Sequence, residues 1–192
     1  MRLVVAVGLV AAMSGSDIER AQTLSRGRQS ERQQFHARYI IDLRNPVVTQ
    51  IEIVTEFRRL VTISEDHILR GDWMFTRSVR AAQEALAPAR GRITLKALVR
   101  FNPLNAYVEA PPYTLAIGDA QNSPLRDIDT QLAPQFSVPF RTKDGETLTS
   151  LLGANLEAMV SADRIGQTAR PIGVTLKGQE IVRSLVNFGS LD

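Results

Sequence analysis

The chain reads as a mainly β protein, an antiparallel β-sandwich of immunoglobulin-like or related type with one helix around residues 73–87. Three observations predict this. Several short segments alternate apolar and polar residues with a period of two. Asn-Pro, Pro-Pro, Asp-Gly and Lys-Gly turn signals separate them, and only the stretch after Asp72 shows a convincing repeat of apolar residues every three to four positions.

The elements follow in chain order. Met1-Arg2, the apolar run Leu3 to Met13 and the small residues Ser14-Gly15-Ser16 have the layout of an export leader, so residues 1–16 are expected to be a signal peptide. A membrane span needs about 20 apolar residues, roughly twice this run. Without a cysteine after it, no lipid attachment is expected, and no stable membrane span is expected after cleavage. Asp17 to Gln34 is a polar lead-in, helical if Ile18, Ala21 and Leu24 or Ser25 share a face. Residues 35–192 are then a single domain, because a body of this size buries one core well.

Ala37 to Leu43 reads as a strand closed by Asn45-Pro46. Gln50 to Ile63 reads as the longest strand, with Ile51, Ile53, Thr55, Phe57, Val61 and Ile63 on a dry face; Arg59 falls on that face and requires a partner or a bulge. Asp72 is placed to cap the helix that carries Phe75, Val79, Ala82 and Leu86, and Pro88 with Gly91 ends it. Arg92 to Phe101 returns to period two. Ala106 to Val108 and Tyr113 to Ile117 are strand segments broken by prolines, a pattern of sheet edges. Gly118 to Pro134 lacks periodicity and reads as a long loop. Hairpins are expected around Lys143-Asp144-Gly145 and Lys177-Gly178-Gln179. Residues 148–160 fit a strand or a helix, and the Thr-rich approach with Gly153 favours the strand.

Chemistry is sparsely marked. The chain has no cysteine and only two histidines, His36 and His67, neither with a second histidine at ligand spacing. No catalytic residue, cofactor site or metal site is expected. Asp127 and Asp129 lack the glycine turn and closing glutamate of a calcium loop. The net charge of +3 and the basic group Arg20, Arg26, Arg28, Arg32 and Arg38 come without the interleaved aromatics that stack on bases, so nucleic acid is not an expected partner. Trp73, Tyr107 and Tyr113 join apolar area to a hydrogen-bonding tip and are the candidate contacts for an envelope protein or glycan. Together these residues lead to an expectation of an exported, non-catalytic binding or structural module, periplasmic or extracellular, with its contact on those aromatics or on a strand edge near Tyr107 to Ile117. An envelope-polymer hydrolase whose active site the sequence does not mark is the competing expectation.

Overall fold

A computed structural model describes residues 13–102, 109–141 and 143–192. Strand exceeds helix, and two antiparallel sheets form the body. The first has the order β1-β2-β3-β9-β6, from strands Ile40–Asp42, Val48–Val54, Arg92–Arg100, Leu151–Ser161 and Gln131–Phe136. The second has the order β11-β10-β4-β5, from Gln179–Asn187, Ala169–Leu176, Tyr113–Ile117 and Arg126–Asp127. A small hairpin, β7 (Phe140–Arg141) with β8 (Thr147–Leu148), stands apart. One core joins the sheets: Ile51, Leu95 and Leu156 of the first meet Leu115, Ile172 and Val174 of the second, each at most 1 % exposed. That shared interior follows from the alternation seen in the sequence, since every second residue of a strand points to the same side.

The hairpin at residue 177 shows how local chemistry sets register. Leu176 pairs with Gln179, so Lys177 and Gly178 alone make the turn, with φ of 52° and 77°. Two positive angles in succession are what the twist of paired strands demands of a two-residue loop. Of residues 148–160, the part from Leu151 onward resolves as strand β9, paired to β3 from Arg92↔Ser161 to Arg100↔Gly153.

Several expectations are corrected. The single helix becomes five among the described residues, and four of them share a second core built on Ile18, Phe35, Leu60 and Leu86, a helical layer beside the sheets. Within 73–87 the α-helix is only Val79–Leu86 (α4), capped by Ser78 rather than Asp72 and flanked by 3-10 turns at 75–77 and 87–89. The strand expected over Gln50 to Ile63 stops at Val54. Thr55 then accepts the Arg58 N–H at 3.2 Å and starts helix α3, Glu56–Leu69, whose stripe Phe57, Leu60, Val61 and Ser64 is buried. Phe57 and Val61 fit both periods; Leu60, on the supposed wet face, decides for the helix. The Arg59 anomaly dissolves with it, because on α3 its guanidinium donates to Thr94 Oγ1 at 2.5 Å.

The polar lead-in is two packed helices, α1 (Gly15–Ser25) and α2 (Gln29–Ala37). Ile18, Ala21, Gln22 and Ser25 face inward, and Gln22 donates to the carbonyls of Phe75 (3.0 Å) and Ser78 (3.2 Å). The boundary expected after Ser16 falls within the first turn of α1. Gly118 to Pro134 is not all loop, since it holds β5 and the start of β6; β5 is two exposed residues, and β6 half-buries only Leu132 and Gln135, so neither shows a period-two alternation. The edge expected near Tyr107 to Ile117 is also corrected. Residues 103–108, with Tyr107, lie outside the described residues, and β4 is interior, with β10 on one side and β5 on the other. The long open edge is β11.

Candidate functional site

Helix α3 ends in a tight backbone lock. Gly71 N–H donates to the Ile68 carbonyl at 2.9 Å and Asp72 N–H to the His67 carbonyl at 2.8 Å, with Gly71 at φ +81°. This paired closure needs a residue comfortable in the left-handed region, which glycine supplies. The Asp72 carboxylate then secures the next turn, with Oδ2 on His67 Nδ1 at 2.8 Å and Oδ1 accepting the Phe75 N–H at 3.3 Å. His67 and Phe75 stack at 3.9 Å, 5° from parallel, and Thr76 Oγ1 donates to the Trp73 carbonyl at 2.9 Å.

The result is a braced loop that presents apolar side chains outward. Leu69 is 81 % exposed, Trp73 54 % and Met74 73 %, while Phe75 beneath them is buried. Arg70 and Arg77 flank this group and are exposed. Three large apolar residues exposed within six positions make the loop a candidate contact surface.

The hydrogen bond from His67 holds the Asp72 carboxyl below its ordinary value of 3.8, and the Phe75 N–H adds to this. A depressed folded value means that the carboxylate's contribution is complete above about pH 4 and is lost as pH falls through the folded value. Acidification through the folded value should therefore loosen the loop. Carboxyl NMR titration would show Asp72 below the range of free aspartates, and in Asp72→Asn the amide of Phe75 should exchange faster at neutral pH.

A second concavity lies where the helical layer meets the first sheet. It encloses about 560 Å³, with Phe57 and Ile93 in its floor and Arg20, Glu56, Arg92 and Asp163 among its charged walls. Arg20 lies over the Phe57 ring at 4.5 Å and pairs with Asp192 at 3.2 Å and Asp17 at 3.6 Å. Arg38 also reaches Asp192, at 3.5 Å. Beside it, Arg58 is only 5 % exposed; it grips Glu52 Oε1 and the Ile53 carbonyl, each at 2.6 Å, and lies over the Tyr39 ring. Burial pulls the Arg58 guanidinium below its usual value, and Glu52 opposes that pull. These ionic contacts join α1, α2 and α3 to the sheet and to the last residue.

Of the three aromatics singled out in the sequence, Trp73 is on the exposed loop, ahead of the 3-10 turn. Tyr113 is 8 % exposed on β4, its ring 6.1 Å from that of Phe101 within the core. Tyr107 lies outside the described residues. Leu69 and Met74 were not anticipated as contacts; Leu69 two residues before the helix-ending Gly71 was the available signal. Both histidines lie on helices. His36, on α2, meets Glu65 at 2.9 Å, with Arg32 3.5 Å from the same carboxylate. Among the described residues no group of His, Asp or Glu is arranged to hold a metal ion. Asp127 instead accepts from Thr175 at 2.6 Å, and Thr175 bonds Thr114 at 2.7 Å. No described helix is long and apolar enough to cross a membrane. Comparison with protein-family models, curated proteins and solved structures returns no match.

Proposed function

We propose that this protein is an exported, non-catalytic binding or structural module of the bacterial periplasm or cell surface, an immunoglobulin-like or related sandwich whose contact is the loop from Leu69 to Met74. The observation that carries this reading is the braced exposure of Leu69, Trp73 and Met74. Because the hydrogen bonds of Asp72 and Gly71 fix the loop before a partner arrives, little conformational entropy is lost on contact. An envelope protein or a glycan suits the chemistry, since an indole offers a flat apolar face and one N–H donor. The leader-like first residues support export.

Trp73 is the chain's one tryptophan, so its fluorescence reports the loop directly. Titration with purified peptidoglycan fragments and, separately, with solubilised envelope proteins is expected to shift its emission to the blue with one of the two. Trp73→Ala combined with Met74→Ala should weaken that binding at least about tenfold, the usual consequence of losing a central aromatic anchor. An emission unchanged by both ligands, together with undiminished capture by the double variant, would reject the loop as the contact.

A further inference from the structure

The concavity between the helical layer and the first sheet has a floor of residues that otherwise belong to the cores. Phe57, Ile93 and Phe188 line it, and all three are buried. Its volume of about 560 Å³ is in the range of small-molecule sites, roughly 300–1,000 Å³, which are apolar inside and carry a few fixed polar groups. The charges that the fold leaves unengaged decide what such a site takes.

Most of the charges around it are engaged within the fold. Arg20 lies between Asp17 and Asp192, and Asp192 also meets Arg38. Glu56 accepts the Gly91 N–H and stands in the first turn of α3, where the helix dipole balances a negative charge. Two charges remain. Arg92 and Asp163 line the cavity and are exposed, and among the described residues neither side chain has a hydrogen-bond or ion-pair partner. Arg92 opens β3 opposite Ser161, and Asp163 follows two residues later on the single-turn helix α5 (Ala162–Ile165). Their stems are braced together. The Ala162 N–H donates to the Gly91 carbonyl at 2.9 Å, and the Gly166 N–H donates to the Ala162 carbonyl at 2.9 Å.

A cation and an anion that share one rim without pairing, over an apolar floor, complement a molecule with both charges and an apolar body. We propose that this cavity binds a zwitterionic ligand of the apolar amino-acid or short-peptide class, its carboxylate on Arg92 and its ammonium on Asp163. A guanidinium grips a carboxylate with two parallel N–H donors, and Phe57, Ile93 and Phe188 receive the apolar side chains. A ligand with one charge would meet one attraction and one repulsion at the same rim. No residue from Leu69 to Met74 lines the cavity, so this site stands or falls apart from the loop.

The probe is the dipeptide Leu-Phe, titrated to about 10 mM into the isotope-labelled full chain and followed by amide NMR. N-acetyl-Leu-Phe and Leu-Phe amide, each lacking one charge, are the comparison ligands. Leu-Phe is expected to move the amide signals of Gly91, Ile93, Gly166 and Phe188 and to leave those of Leu69 to Met74 in place. Each blocked ligand should bind at least about tenfold more weakly, the usual effect of losing a charge-assisted hydrogen bond. Arg92→Gln should abolish the preference for Leu-Phe over its amide, and Asp163→Asn the preference over the acetylated form. Both side chains are exposed, so neither change should disturb the fold, and the amide spectrum of each variant checks this. Unmoved signals at the four cavity amides would overturn the proposal. So would equal affinity for the three ligands, or preferences that survive in both variants.

Discussion

Arg58→Ala is expected to destabilise the protein by about 3 kcal/mol, the lower end of the range for removing one partner of a buried ion pair, because the Glu52 left behind keeps a third of its side chain in water. The guanidinium holds Glu52 and the Ile53 carbonyl, each at 2.6 Å, and covers Tyr39. Truncation leaves Glu52 without its cation and opens a void between α3 and the first sheet. Urea denaturation followed by far-UV circular dichroism would measure the loss. Glu52→Gln paired with Arg58→Met should cost much less, because both charges leave together and the methionine refills the volume. If the single and the double variant lose the same stability, the ion pair does not join these two layers.

Gly153→Ala should cost about 3 kcal/mol, at the upper end for overpacking a tight interior. Gly153 lies opposite Arg100 in the β3–β9 ladder, and a β-carbon there would collide with the Val99 carbonyl oxygen. Main chain cannot swing aside as a side chain can, so the two strands would have to part. Gly145→Ala is the control. Its φ of +86° strains any other residue, but nothing lies within 4 Å, so the cost should be about 1 kcal/mol. Thermal unfolding of the three proteins side by side would order them wild type, Gly145→Ala, Gly153→Ala; equal losses would place the constraint in turn geometry rather than in strand contact.

Legibility in the sequence followed from how one-sided each segment is. β3 and β10 with its hairpin could be read directly, because Leu95, Ala97 and Val99, or Lys177 with Gly178, state a period or a turn within a few residues. Helix α3 could not, since Phe57 and Val61 satisfy two periods and the sign of Leu60 depends on what covers it. Its start was visible in principle, in the capping hydroxyl of Thr55. β5 and β6 escaped notice because β5 is two exposed residues and β6 half-buries only Leu132 and Gln135, too few to state a period. Trp73 was legible as a candidate contact but not as an exposed one, and its neighbours Leu69 and Met74 acquire meaning only once Gly71 and Asp72 close α3 and fix the loop.

By itself, the order of residues determined that alternating strands would pair into antiparallel sheets, where the Lys-Gly hairpin would turn, and that no thiol chemistry was open to the chain. Those are local facts, set by period and by backbone angle. Tertiary structure alone decided that the polar stretch after the leader-like segment is a packed helical layer, that Tyr113 is core while Trp73 is surface, and that Ser14 belongs to the folded body. Each of these depends on which surface meets which across tens of residues, and burial, unlike turn geometry, is a property of the partner as much as of the residue.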